Sequence, residues 1–174
     1  MDTFDQAFAL IVGIEGGFST DQHDPGNWTG GKVGVGVFKG TKYGISAASY
    51  PNLDIANLTP DDAKAIYGSD YWAACACDRM PWPLALFVFD CAVNQGVGAA
   101  KMTVQQALGV TADGVIGPVT LAAAQNADAE HVALFMAQRG IRYTHSPIFP
   151  GNGLGWFKRL FLLALTHGGA NGLG

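Results

Sequence analysis

The chain is poor in charge and has no long apolar run. Only 14% of its 174 residues are charged, and the formal net charge is −4. Binding to nucleic acid or anionic membranes by bulk electrostatics needs a dense positive surface, which this composition does not supply. No uninterrupted apolar stretch reaches the roughly 20 residues that cross a bilayer. We therefore expect no nucleic-acid partner and no stable membrane insertion, and a neutral or mixed-polarity polymer is the better partner.

Cysteine and histidine are also scarce. The three cysteines form an odd set without zinc-ligand spacing, so free buried thiols are expected rather than disulfides, as suits a reducing cytosol. The histidines show no paired ligand spacing. We expect no metal and no cofactor. The residues concerned are Cys75, Cys77, Cys91, His23, His131, His145 and His167.

The N-terminal stretch "MDTFDQAFALIVGIEGG" lacks the pattern of a secretory signal. It begins acidic, and its apolar part spans only about two to three helical turns. We expect synthesis in the cytoplasm without a signal peptide, so that any work outside the cytoplasm would need another export route.

Most of the chain shows helical periodicity. Phe4, Phe8 and Ile11 recur at helical spacing in the opening segment. Thr59 before Pro60 has the residue types of an N-cap and a first helical position. Further helices are predicted to open at Pro118 and Asp128, and the stretch "TADGVIG" before Pro118 is read as a turn because it lacks the acidic ligands of a calcium loop.

One glycine-rich segment interrupts the helices. Between residues 26 and 45, Val33, Val35 and Val37 alternate with glycine and lysine before a Lys39-Gly40 turn. This pattern is typical of a small β-hairpin or a long ordered loop. The predicted class is mainly α, a helical bundle with this one small β element.

The stretch "WPLALFVFDCAVNQG" predicts a helix buried nearly all round and stopped at Gly96. Asp90 within it would be costly to bury unpaired, so we expect it to accept backbone hydrogen bonds. We place the boundary between two lobes here, at 1–92 and 93–174, and expect them to pack as one compact unit. The apolar tail "GWFKRLFLLALT" is expected to dock onto the core; a membrane-disturbing helix is the alternative.

Glu15 is the first candidate for chemistry. It closes the opening helix before two glycines, where the negative end of the helix dipole and its apolar neighbours are both expected to raise its pKa. A carboxyl held protonated near neutral pH can donate a proton to a leaving oxygen, as in glycoside hydrolysis. The plain alternative is a solvated glutamate before a glycine cap.

Asp24 follows nine positions later, in "DPGN". A second carboxylate at some distance from an acid can orient a water molecule for direct displacement. The same four residues are also an ordinary turn in which aspartate caps its own backbone. His23 beside it could tune the charge of the site, or be a solvated loop histidine.

The motifs "EGGF", "DPGN", "TKYGIS", "DAKAIY" and "DYW" resemble the N-terminal set of glycoside hydrolase family 108, the phage-type N-acetylmuramidases. "FDCAVNQG" and "VQQALGVTADGVIGPVTLAAA" resemble the peptidoglycan-binding half that accompanies that family. The resemblance extends from about Phe4 to Phe161. It implies a lysozyme-like α+β fold and peptidoglycan glycan strands as substrate.

By this resemblance Glu15 is the catalytic general acid, and Asp24 matches the acidic position of the "DPG" element. Either of two threonines could supply a hydroxyl that completes the catalytic site. Thr29 has a lysozyme-like spacing after Asp24, whereas Thr41 has the Tyr-Gly-Ile context of the family. We favour Thr41, whose hydroxyl would help to hold the attacking water. The stretch "NWTGGKVGVGVFKG", inserted before "TKYGIS", departs from the compact family pattern.

Five other residues are candidates for substrate binding. Tyr43 and Tyr71, with Trp72, could line a sugar cleft, because an aromatic face covers the C–H face of a pyranose. Asn94 and Gln95 end a buried helix, and their amides could bind N-acetyl groups. For each residue the alternative is a structural role, in the core or at a helix cap.

The implied function is hydrolysis of the β-1,4 bond between N-acetylmuramic acid and N-acetylglucosamine, most simply by a monomeric phage endolysin that reaches the periplasmic cell wall after release. Two alternatives stay open. A lytic transglycosylase needs only one acid/base glutamate, and a non-catalytic wall-binding or export accessory module would use the second half of the chain.

Overall fold

The computed structural model describes residues 3–12 and 17–167. This part of the chain contains seven α-helices and one small antiparallel sheet, so the mainly helical class predicted from the sequence is confirmed. The chain divides into two compact units, Met1–Asp70 and Tyr71–Gly174. The division predicted between residues 92 and 93 falls inside a continuous helix, Leu84–Gln95.

The first unit holds two helices, α1 (Thr3–Ile11) and α2 (Pro60–Tyr67), with the sheet between them in sequence. Phe8 of α1 packs against the Tyr67 ring at a centroid distance of 5.7 Å. Lys64 of α2 forms an ion pair with Asp5 of α1, with 2.5 Å between Nζ and Oδ1. A predominantly apolar contact therefore joins the two helices, with an ion pair beside it.

The start of α2 agrees with the predicted cap. The Thr59 hydroxyl accepts a hydrogen bond from the Asp62 backbone N–H at 3.1 Å, and the Asp62 carboxylate accepts from the Thr59 N–H at 2.9 Å. Pro60 occupies the first helical position. Hydrogen bonds from the hydroxyl and the backbone N–H of Thr59 lower the pKa of Asp62. A local sequence signal thus determined this helix start.

The sheet consists of β1 (Phe18–Ser19), β2 (Thr41–Lys42) and β3 (Ile45–Ser46) in the order β1-β2-β3. Ser19 pairs with Thr41, and Thr41 pairs with Ser46. The hairpin β2–β3 turns at Tyr43-Gly44, not at the predicted Lys39-Gly40 turn, and it lies at the C-terminal end of the segment 26–45.

The alternating valines do not form a strand. Val33, Val35 and Val37 are between 48% and 59% exposed and lie in a series of turns. The glycines among them explain the difference, because Gly34 and Gly36 adopt φ of 77° and 81°, outside the β region. The segment is a long ordered loop, the second of the two predicted forms.

The second unit contains α3 (Leu84–Gln95), α4 (Val97–Ala107), α5 (Pro118–Gln125), α6 (Ala129–Thr144) and α7 (Phe149–His167). Every residue of α3 from Leu84 to Ala92 is buried, as its continuous apolar run predicted. The helix ends at Gly96, whose φ of 93° disfavours any residue with a Cβ. The central helix of this unit is thus α3.

The other predicted helix starts are also confirmed. Pro118 opens α5. Asp128 caps α6, because its carboxylate accepts hydrogen bonds from the N–H groups of Glu130 and His131 at 3.0 and 3.1 Å. The three cysteines are free and buried.

A buried amide shapes the turn before α5. Gln105 of α4 donates through Nε2 to Asp113 Oδ1 at 2.7 Å and to the Val115 carbonyl at 3.0 Å. Its Oε1 accepts from the Gly114 N–H at 2.8 Å. The Asp113 carboxylate also accepts from the Val115 N–H. Asp113 is therefore a turn residue, as "TADGVIG" was interpreted.

The prediction that Asp90 accepts backbone hydrogen bonds is wrong, because its partners are side chains. It is fully buried, and its carboxylate accepts hydrogen bonds from two arginine side chains, Arg139 of α6 and Arg159 of α7. Burial is the largest single influence and opposes the charge of Arg139, but the Asp90 carboxylate and other neighbouring groups together outweigh burial, and the pKa of Arg139 is raised. Three helices are thereby joined through one carboxylate. The partners were missed because they lie 49 and 69 residues away in the chain.

Helix α7 begins at Phe149, earlier than the predicted start at Gly155, and one of its faces packs against α6. The Trp156 ring stacks on Tyr143 at 4.9 Å between centroids, and Leu160 is buried. The other face is open: Leu154 is 87% exposed. No helix in the described part of the chain is both long and apolar enough to span a membrane.

Candidate functional site

The predicted site residues fall into three groups. Asp24, Thr41 and Tyr43 belong to the first unit, and Tyr71, Asn94 and Gln95 belong to the second. Glu15, the predicted general acid, lies in the 13–16 segment, outside the described residues.

Asp24 caps a 3-10 turn at Pro25–Asn27. Its Oδ1 accepts a hydrogen bond from the Gly26 N–H at 2.8 Å, so the ordinary turn geometry of "DPGN" is present. Within the described residues its Oδ2 accepts no hydrogen bond, and the side chain is exposed. One carboxylate oxygen therefore holds the turn, and the other is available to a water molecule.

Asn27, which sequence reasoning missed, anchors this turn. It is fully buried, and its Nδ2 donates to the Asp21 carbonyl at 2.9 Å and to the Ser19 hydroxyl at 3.4 Å. The backbone carbonyl of Asn27 accepts hydrogen bonds from the N–H groups of Lys39 and Gly40 at 3.0 and 3.1 Å. The Asp24 turn is thus attached both to β1 and to the segment that leads into β2. The only local signal was an asparagine ending a turn motif.

The two competing threonines have different surroundings. The Thr29 hydroxyl accepts from the Val37 N–H at 2.8 Å and closes the glycine-rich loop. The Thr29 hydroxyl lies so close to Gly36 that no side chain fits at position 36, since a Cβ at Gly36 would lie 2.3 Å from Thr29 Oγ1. Thr41 is half-buried in β2, and its side chain forms no hydrogen bond in the described part of the chain. Among the described residues, therefore, the Thr41 hydroxyl has no hydrogen-bond partner, and the Thr29 hydroxyl has a structural one.

Tyr43 is held in an unusual backbone conformation at the β2–β3 turn. Its φ is 51°, and its carbonyl accepts a hydrogen bond from the Tyr67 hydroxyl at 3.2 Å. The Lys42 ammonium lies 5.5 Å from the centroid of the Tyr43 ring. The half-buried ring is thus paired with a cation. A sugar-binding role for Tyr43 stays a prediction.

The candidates of the second unit make contacts within that unit. Asn94 Oδ1 accepts from the Tyr143 hydroxyl, and Gln95 Nε2 donates to the Arg139 carbonyl at 3.1 Å. Gln95 Oε1 is also close to the Cys91 thiol, at 3.4 Å from Sγ. These bonds tie α3 to α6 and give Gln95 a structural role. Tyr71 is half-buried, and substrate binding by these three residues stays a prediction.

No group of three or more His, Cys, Asp or Glu side chains that could hold a metal ion occurs among residues 3–12 and 17–167. The chemistry available to the described side chains is that of carboxylates, hydroxyls and amides acting on a polar substrate.

Comparison with known proteins gives a family match and several similar solved structures. The profile of the family described as glycosyl hydrolase 108 matches residues 8–96, a range that contains all seven predicted site residues. Among solved structures, SagA of Brucella abortus is similar to this chain with a TM-score of 0.76 and 27% sequence identity, covering 92% of this chain and 91% of SagA. No curated protein sequence matches.

The family match and the structural match agree on the fold. SagA aligns along both units, whereas the family profile ends at residue 96, one position after α3. The predicted lysozyme-like α+β class is confirmed. Because the profile covers more than half of the chain, the protein belongs to glycosyl hydrolase family 108, a family of peptidoglycan hydrolases.

Proposed function

We propose that this protein is an N-acetylmuramidase, which hydrolyses the β-1,4 bond between N-acetylmuramic acid and N-acetylglucosamine. The observation that carries the proposal is the Asp24 carboxylate. It is exposed, has one oxygen free of hydrogen bonds within the described residues, and lies nine positions after Glu15 on a turn anchored by Asn27.

In the proposed reaction Glu15 donates its proton to the glycosidic oxygen as the bond to C1 of the muramic ring breaks. Positive charge develops on that ring, and a water molecule attacks C1. Asp24 takes a proton from this water, and the Thr41 hydroxyl holds the water in place. The distance between the two carboxylates determines the stereochemistry: about 6.5 to 9.5 Å leaves room for the water and leads to inversion.

We expect Thr41→Val to lower kcat by about tenfold, because one hydrogen bond to the attacking water is worth roughly 1 to 1.5 kcal/mol. The substitution keeps a β-branched side chain at a strand position, so the sheet should survive. The measurement is the initial rate of reducing-end release from purified peptidoglycan, with KM and kcat determined separately.

Thr29→Val is the matched control for this experiment. It removes the bond to the Val37 N–H and should loosen the glycine-rich loop, with kcat changed less than twofold. A larger loss of kcat in Thr29→Val than in Thr41→Val would assign the water-holding role to Thr29.

The products test the proposed reaction itself. Mass spectrometry of digested peptidoglycan should show muropeptides with a new reducing N-acetylmuramic acid, each carrying one added water. Products with a 1,6-anhydro ring would identify a lytic transglycosylase, and a protein that sediments with the wall without releasing reducing ends would be a binding module. New reducing N-acetylglucosamine would show that the other glycosidic bond is cleaved.

We further propose that the protein acts as a monomeric endolysin on the periplasmic wall, after release from the cytoplasm of a phage host. Its family and its peptidoglycan substrate support this setting. Cells that accumulate the protein in the cytoplasm should lyse when the inner membrane is permeabilised and stay intact otherwise. Lysis before permeabilisation would contradict the proposed route. Sedimentation equilibrium tests whether the protein is a monomer.

A further inference from the structure

A groove beside β1 in the first unit has no part in the chemistry proposed above. Its volume is about 520 Å³. Its lining combines apolar and polar side chains. The apolar ones are Phe18, Phe38, Leu53, Ile55 and Ala56, and the polar or charged ones are Thr20, Lys39, Asn52 and Asp54.

The lining leaves both an aromatic surface and hydrogen-bonding groups open to a ligand. Phe18 is 44% exposed, a large fraction for a phenyl ring. The side chains of Thr20 and Asn52 form no hydrogen bond with any described residue, and the Asp54 carboxylate accepts only through Oδ2, from Asn57. The groove thus offers a flat apolar face together with unused donors and acceptors.

The walls of the groove are tied together before any ligand arrives. Lys39 Nζ donates to the carbonyls of Pro51 and Leu53 at 2.6 and 3.2 Å, and Lys42 Nζ donates to the Ala56 carbonyl at 2.7 Å. These bonds connect the strand side of the groove to the segment that forms its other wall. A preformed groove lowers the cost of ordering on binding.

We propose that this groove binds an N-acetylated sugar ring of the glycan strand, on the face of the sheet opposite the Thr41 side chain. The Phe18 ring would cover the C–H face of the pyranose, and Thr20, Asn52 and Asp54 would bind its hydroxyl and acetamido groups. A lysine and an aspartate of opposite charge in the lining suit a neutral sugar better than an anion.

The strand pairing places the groove and the Thr41 hydroxyl on opposite faces of the sheet. Phe18 pairs with Lys42, Ser19 pairs with Thr41, and successive side chains of a strand point to opposite faces. A ring in the groove is therefore held apart from the bond that is cleaved, so the groove adds affinity for the glycan without touching the reacting atoms. This inference rests on the proposed function for the identity of its ligand.

The probe is a tetramer of N-acetylglucosamine, titrated calorimetrically into the Glu15→Gln variant so that the ligand is not consumed. Phe18→Ala in that background should weaken binding by about tenfold, because an aromatic contact is worth roughly 0.5 to 1.5 kcal/mol beyond its buried area. Val33→Ala, at a similarly exposed apolar residue outside the groove lining, should leave the affinity unchanged.

Two further variants separate binding from folding. The Phe18 ring packs over Gly40, where a Cβ would lie 2.6 Å from Phe18 Cε2, so its loss could disturb the sheet. Phe18→Tyr keeps the ring and should bind within about twofold of the parent. Asn52→Ala changes an exposed side chain and should weaken binding by about threefold, the effect of one modest hydrogen bond.

The sugar-binding groove is contradicted if Phe18→Ala and Asn52→Ala bind the tetramer as tightly as the parent, or if Val33→Ala weakens binding equally. This result is separable from failure of the proposed function. If the wild-type protein releases no reducing ends but the tetramer binds in a Phe18-dependent manner, the sugar-binding groove is supported and the proposed hydrolysis is contradicted. If Glu15 is required for hydrolysis but Phe18 does not affect the affinity, the proposed hydrolysis is supported and the sugar-binding groove is contradicted.

Discussion

Replacement of Glu15 by glutamine is expected to lower the rate of peptidoglycan hydrolysis by about 10²- to 10⁴-fold, the usual contribution of a general acid. Glutamine has nearly the same shape but cannot give a proton to the leaving oxygen. Reducing-end release measures the rate, and sedimentation with purified wall measures binding, which should be retained. The melting temperature should stay close to that of the wild type.

The chain offers a well-matched control, because Glu130 is its only other glutamate. Glu130 is exposed in the first turn of α6 and lies outside the range of the family match. Glu130→Gln should therefore keep full activity. Substantial hydrolysis by the Glu15→Gln protein would exclude glutamate-15 as the acid and move the search to the aspartates.

Asp90→Ala is expected to destabilise the protein by about 3 to 5 kcal/mol, the usual cost of removing one partner of a buried ion pair. The guanidinium of Arg139 is fully buried, and without Asp90 it would keep its charge without a partner carboxylate. Three helices meet at this carboxylate, so the loss should affect the whole second unit. Urea denaturation followed by circular dichroism measures the change.

Arg159→Ala is the informative comparison for Asp90→Ala. Its side chain is 36% exposed, so water can replace part of its interaction, and a loss of about 1 kcal/mol or less is expected. Asp78→Ala removes an exposed carboxylate of the same unit and should change stability by less than about 0.5 kcal/mol. Equal stability losses in Asp90→Ala and Asp78→Ala would mean that the buried cluster contributes little.

The parts of the fold that were predicted correctly depend on neighbouring residues. Thr59 caps the helix that begins one residue later, and Asp128 does the same for α6. Pro118 and Gly96 mark a helix start and a helix end through their own backbone restrictions. The burial of α3 could likewise be predicted from its own residues, because a helix without a polar face has to be covered on all sides.

The features that were missed depend on residues far apart in the chain. The partners of Asp90 are supplied by α6 and α7, and no local pattern identifies them. The valine alternation of residues 33–37 predicted a strand as one of two forms, but the glycines between the valines adopt positive φ. Backbone freedom of glycine prevailed over side-chain periodicity there.

The roles of the candidate site residues stay predictions. The resemblance proposes Glu15, Asp24 and Thr41, and the family match spans all three positions. It could not distinguish Thr41 from Thr29 by their surroundings, because the bond from Val37 to Thr29 forms only once the loop has closed. Asn27 escaped notice because its importance comes from burial, which turn-forming residues rarely show.

The hydrogen bonds of Gln105 carry a consequence for engineering. The turn between α4 and α5 is on the surface, yet its course is dictated by an amide that belongs to the preceding helix. Grafting a foreign sequence between residues 110 and 117 would therefore require a redesign of α4 as well. A cargo peptide displayed on this protein is better inserted at another surface loop.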